Sequence, residues 1–70
     1  MDNVQSVLFN KANWNITKSR KWLKDHGFVY NSKVHTTPNF HRFRQYNPPK
    51  GARYIIKKIS NGSIELVIQI

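Results

Sequence analysis

The stretch Phe40-His41-Arg42-Phe43-Arg44-Gln45-Tyr46 sets two arginines two residues apart among three aromatic side chains. In an extended chain alternate residues share a face. Phe40, Arg42, Arg44 and Tyr46 would then line one side, and His41, Phe43 and Gln45 the other. Arg42 and Arg44 would project about 6.5–7 Å apart, close to the spacing of successive phosphates along one nucleic-acid strand. Their planar forks suit phosphate oxygens, and Phe40 and Tyr46 beside them are suited to stacking on bases. The same pattern fits an ordinary amphipathic strand whose aromatics pack under a helix while the arginines snorkel to the edge. Phe43, alone between His41 and Gln45, does not decide which side is buried. Lys50, Arg53, Lys57 and Lys58 would extend a basic surface across the loop and strands that follow.

The charge balance favours the phosphate reading. Twelve Lys and Arg stand against three Asp and Glu, a formal charge of +9. The acids are Asp2, Asp25 and Glu65, so residues 26–64 contain no carboxylate. Self-repulsion on this scale costs stability, and a polyanionic partner relieves it. Nucleic acid is the leading candidate, ahead of acidic protein or anionic lipid; incidental charge on a soluble domain is the competing account.

Catalysis finds little material. Nucleophilic chemistry needs a nucleophile, a base and an orienting group. The five serines (Ser6, Ser19, Ser32, Ser60 and Ser63) lack a nucleophile-elbow motif. Three scattered carboxylates make paired acid–base work implausible, and a metal-free nuclease built on His35 or His41 is the residual enzymatic reading. With no cysteine there is neither a disulfide nor a thiolate zinc site. His26, His35 and His41 are not spaced as a metal-binding pair on one helix, so no metal or cofactor is expected. The start MDNVQSVLF lacks the basic region of a signal peptide, and no stretch approaches membrane-spanning length. An intracellular protein with no membrane partner is the default expectation.

The elements that must position these residues follow from local pattern. Residues 4–9, VQSVLF, read as a first strand. Asn15 can cap a helix over 16–26, with Ser19, Trp22, Leu23 and His26 on one stripe. Lys18, Arg20, Lys21 and Lys24 fall off that stripe toward water, and Gly27 stands where a left-handed C-terminal cap is needed. Trp22 and Leu23 are core anchors on this reading, and Trp14 is placed for a hydrophobic staple at the first turn. Phe28 and Tyr30 begin a second strand, which VHTTP continues or replaces before Pro38 ends it. Residues 39–46 form the next strand, and the prolines of NPPKGA make 47–52 a stiff loop. ARYIIKKIS and SIELVIQI flank Asn61-Gly62, the strongest two-residue type I′ hairpin signal. That turn pairs Ile59 with Ile64 and Ile55 with Ile68, and sets Lys58 opposite Glu65. Ile64, Leu66, Ile68 and Ile70 mark the core face, and Ile56 with Val67 form a reverse-face patch open to a second layer or a contact. The whole chain, 1–70, is one small basic α+β domain. One helix packs on a mostly antiparallel sheet of four to five strands, in the order β-α-β-β-β-β.

VLFNKANWNITKSRKWLKDHGF, followed by FHRFRQY and NGSIELVI, resembles the N-terminal segments beside tailed-phage head-maturation proteases. It also resembles short stand-alone proteins of large DNA viruses. The resemblance rests on Trp22, Leu23, His26 and Gly27, on Arg42, Phe43, Arg44 and Gln45, and on Gly62, Ile64 and Val67, and it spans most of the chain. It implies a viral origin and a role in the virion or in handling the genome. It does not imply proteolysis, since no counterpart of the catalytic domain is present. Ser19 departs from the small apolar residue expected there, and the acid-free segment 33–37 departs from acidic residues in similar modules.

Two functions follow. The first is a non-enzymatic, largely sequence-independent nucleic-acid-binding module of viral origin, possible cargo of the virion, contacting phosphates through a basic sheet face. The second is a virion structural or assembly protein that binds another viral protein, or itself, through its C-terminal hairpin.

Overall fold

The structure, a computed structural model, describes residues 3–70; Asp2, one of the three acids, lies outside them. Its elements are β1 (Val4–Asn10), α1 (Ile16–Asp25), β2 (Val34–Thr36), β3 (Phe40–Arg44), β4 (Tyr54–Ile59) and β5 (Ile64–Gln69). All neighbouring strands are antiparallel and lie in the order β2-β3-β1-β5-β4. One helix on one antiparallel sheet is the α+β architecture expected from the sequence, here with five strands.

The first strand is the central one. Val7 pairs with Phe43 of β3 on one side and with Leu66 of β5 on the other. Its apolar residues Val4, Val7 and Phe9 are buried, as are Leu23, Phe43, Ile64 and Leu66. Phe9 is the hub, meeting Trp14, Trp22 and Phe43 edge-on at centroid distances of 5.2, 5.7 and 5.6 Å. Burying one such ring stabilises the fold by about 1.5–3 kcal/mol, and each edge-to-face pair adds about 0.5–1.5 kcal/mol.

Helix α1 starts and stops where its caps dictate. The Asn15 side chain accepts from the Lys18 N–H at 2.8 Å, satisfying one of the otherwise unpaired first-turn donors. At the other end the helix stops at Asp25, with His26 as the cap residue. Gly27 has φ +77°, and the N–H groups of Gly27 and Phe28 donate to Lys24 O at 3.3 Å and Leu23 O at 2.9 Å. That pair of bonds is a Schellman motif. Ser19, buried on the core side, donates its hydroxyl to Asn15 O at 2.7 Å, so a polar residue fits where a small apolar one was expected.

The hairpin has the expected register in full, from Ile59 opposite Ile64 to Tyr54 opposite Gln69. Asn61 at φ 57° and Gly62 at φ 83° are the positive-φ centre of a type I′ turn, closed by Ser63 N–H donating to Ser60 O at 3.1 Å. Ser60 is left-handed as well, at φ 52°, and a second bond from Ser63 Oγ to Ser60 O at 2.8 Å holds it there. Lys58 stands opposite Glu65 without an ion pair; among the described residues the one ion pair is Lys21–Asp25.

Four expectations are corrected. Phe28 and Tyr30 are in no strand, and β2 at Val34–Thr36 replaces rather than continues one; Phe28 instead stacks on Trp22 at 5.8 Å. Arg20 does not face water. Its guanidinium lies 5.2 Å from the Phe43 ring centre and donates to Tyr30 O and Ser32 O at 2.6 and 2.9 Å. Trp14 staples the helix start to the sheet rather than to the first turn: it packs on Phe9 and donates Nε1–H to Ser63 Oγ at 3.1 Å. Ile70, expected in the core, is 69% exposed, because it lies past the end of β5.

Candidate nucleic-acid interface

Which side of β3 is covered follows from Phe43. It is fully buried, in contact with Phe9 of β1 and with Arg20 of the helix. Phe40, Arg42 and Arg44 alternate with it and therefore lie on the sheet face turned away from α1. Among the described residues there is no second α-helix and no second sheet to cover that face.

The pairings assemble the rest of this open face. Arg42 stands between His35 of β2 and Leu8 of β1, and Leu8 stands beside Glu65, which stands beside Lys58. One transverse row thus reads His35, Arg42, Leu8, Glu65, Lys58 across all five strands, about 19 Å at the usual strand spacing. The adjacent row reads Arg44, Ser6, Val67, Ile56. Glu65 is the one carboxylate on this face among the described residues. Asp25, the other, is exposed at the end of the helix, held below the ordinary carboxylate range by the hydrogen bond from Lys21.

Arg42 is held in place. Its Nε donates to Ser6 Oγ at 3.2 Å and its Nη2 to Gln5 Oε1 at 3.3 Å. Ser6 Oγ in turn donates to Gln5 Oε1 at 2.6 Å, and Gln5 Nε2 donates to Tyr46 O at 2.8 Å. A guanidinium carries five N–H donors, so this anchoring leaves three for a ligand. Arg44 is poised differently. Its Nε is buried and has no hydrogen-bond partner among the described residues. The side chain lines an open cleft of about 310 Å³ with Ser32, Lys33, His35, Tyr46 and Asn47, and no carboxylate lines it.

Tyr46 lies just past β3, and its hydroxyl donates to Gln69 Oε1 of β5 at 2.6 Å, which holds the ring across the end of the sheet. Phe40 is half-buried at the opposite end of β3. Of the remaining residues expected in the site, Lys58 is exposed on the open face, but Lys57, the residue before it, points to the helix side of the sheet. Lys50 and Arg53 are exposed in the connection before β4, outside the ladder. The fold therefore brings together Phe40, Arg42, Arg44 and Tyr46, adds Lys58 at the far edge, and separates Lys57 from them.

Gln5 and Ser6 were missed as site residues, although two polar residues inside an apolar strand are a signal that something polar meets them. Lys33 and His35 were also missed as companions of the arginines. For catalysis, His35 and His41 occupy opposite faces, since His35 pairs with Arg42 and His41 with Thr36. No cluster of metal-ligating side chains occurs among the described residues, and no helix there is long and apolar enough to cross a membrane. Comparisons of the chain with protein-family models, with curated proteins and with solved structures found no match.

Proposed function

We propose that this protein is a non-enzymatic nucleic-acid-binding module that takes a sugar–phosphate backbone on its open sheet face. The observation that carries this reading is the direction of Phe40, Arg42 and Arg44, away from the helix, with Arg42 already fixed by Gln5 and Ser6. A guanidinium held before the ligand arrives loses less side-chain entropy on binding than a free one. Phosphate contacts from Arg42, Arg44 and Lys58 position a strand without reading its bases, so binding is largely independent of sequence. The aromatic rings of Phe40 and Tyr46, at either end of the arginines, add stacking surface that every base can use. The row of about 19 Å across the sheet accommodates about three nucleotides of extended single strand. The viral setting implied by the resemblance, with the protein acting on the genome or packaged beside it, belongs to the same proposal.

A fluorescence-anisotropy titration with single- and double-stranded oligonucleotides at two or more salt concentrations tests it. Three to five phosphate contacts give a slope of log affinity against log salt between about −2 and −4 on single strands. Absence of binding at low salt would refute the reading.

A further inference from the structure

β4 is an outer strand, hydrogen-bonded to β5 on one side only. Outside that ladder no backbone group of residues 55–58 has a backbone partner among the described residues. Ile55 and Ile56 lie on opposite faces of this edge and are 50% and 55% exposed. Lys57 and Lys58 follow, again one on each face and both exposed. Each side of the strand thus carries one isoleucine followed by one lysine.

Lysines on an edge strand discourage pairing with a like strand. Here they do so specifically. In the antiparallel register that sets Ile55 of one copy against Ile56 of another, Arg53 meets Lys58, on top of a charge of +9 carried by each chain. Glu65, across from Lys58, forms no ion pair with it, so both ammonium groups remain available. An edge that repels its own copy attracts a strand of opposite charge, and the two exposed isoleucines offer such a strand apolar contacts on both faces.

We propose that the β4 edge is a docking site for an extended acidic segment of another protein, added as an antiparallel sixth strand. In N-to-C order the segment carries two acidic residues and then two β-branched or aromatic ones. The acids then oppose Lys58 and Lys57, and the apolar pair opposes Ile56 and Ile55. This site shares Lys58 with the row that contains Arg42 but not the arginines themselves, and it stands whether or not that row binds nucleic acid.

The test uses the full chain and short extended peptides with a Glu-Glu-Ile-Val centre, followed by amide-resolved NMR. The expected result is perturbation along β4 and slowed exchange of its outward amides. Binding is weakened about tenfold or more when the centre is permuted to Ile-Val-Glu-Glu, which keeps composition and charge. The double variant Lys57→Glu, Lys58→Glu loses the acidic peptide and gains a Lys-Lys-Ile-Val peptide, an exchange that only a folded protein can make. Arg42→Gln with Arg44→Gln leaves peptide binding unchanged. Equal binding of the permuted peptide, perturbation centred on β3, or formation of a β4–β4 dimer in preference to peptide capture would each overturn the proposal.

Discussion

Replacing Arg42 or Arg44 by glutamine removes one cation from the open face and lowers the formal charge by one, while Lys18→Gln or Lys24→Gln removes the same charge from the exposed side of α1. If binding were a diffuse response to a charge of +9, all four variants would behave alike. If the open face holds the phosphates, the arginine variants alone lose a contact, and each flattens the salt slope by about 0.7 on single strands. Between 50 and 200 mM salt that difference amounts to about two- to threefold in affinity, well within reach of anisotropy titrations. Loss of structure does not confound the comparison. Ser6 Oγ and Gln5 Oε1 remain bonded to each other at 2.6 Å after Arg42 is shortened, so the stability cost is about 1 kcal/mol. Arg44 loses an Nε–H that has no partner. The same assay separates the two hairpin lysines: Lys58→Gln on the open face lowers the slope more than Lys57→Gln on the helix side. Equal effects of the arginine and helix-lysine variants would refute the assignment of the face.

Three further outcomes test the fold that supports this face. Phe9→Ala costs about 3–5 kcal/mol of the roughly 3.5–10 kcal/mol expected for a chain of this size, so the thermal midpoint falls by more than about 12 °C; a fall under about 5 °C would show that Phe9 is not the hub of the core. Gly27→Ala destabilises by about 1–2 kcal/mol in a denaturant melt, although nothing lies within 4 Å of the added methyl, because the cost is in the backbone at φ +77°. Gly27→Asn recovers part of that loss, and equal losses for Ala and Asn would count against a left-handed cap. Arg20→Met keeps an apolar stem over Phe43 but leaves Tyr30 O and Ser32 O without their donor. Amide exchange across residues 28–33 then accelerates, with a stability loss of about 1–2 kcal/mol; unchanged exchange would mean that the arginine does not anchor this segment.

What was legible in the sequence divides by the range of the interactions involved. The helix ends and the hairpin register are local: Asn15, Gly27 and Asn61-Gly62 each answer a backbone requirement within a few residues. Which side of β3 is covered depends instead on β1, more than thirty positions earlier, where Phe9 and Val7 meet His41 and Phe43. Nothing in the heptapeptide around Arg42 encodes that pairing. Arg20 was misplaced for a related reason. Its helical position points off the apolar stripe, but the segment after Gly27 folds back and supplies two carbonyls within reach. Lys57 and Lys58 look alike as a basic dipeptide, and only the strand assignment makes them members of different surfaces.

The least legible feature is also the one that shapes the candidate site most. Between Val4 and Ser6 the register of β1 against β5 shifts by one residue, the mark of a bulge. A regular strand would send Gln5 and Ser6 to opposite faces; here their side chains are bonded to each other and both reach Arg42. Both are almost fully buried, and buried polar groups without partners are costly. The bulge, the glutamine–serine pair and Arg42 therefore satisfy one another as a unit. That mutual satisfaction explains why an apolar central strand tolerates two polar residues in succession. It also makes the orientation of Arg42 a property of the fold itself, in place before any anionic ligand arrives.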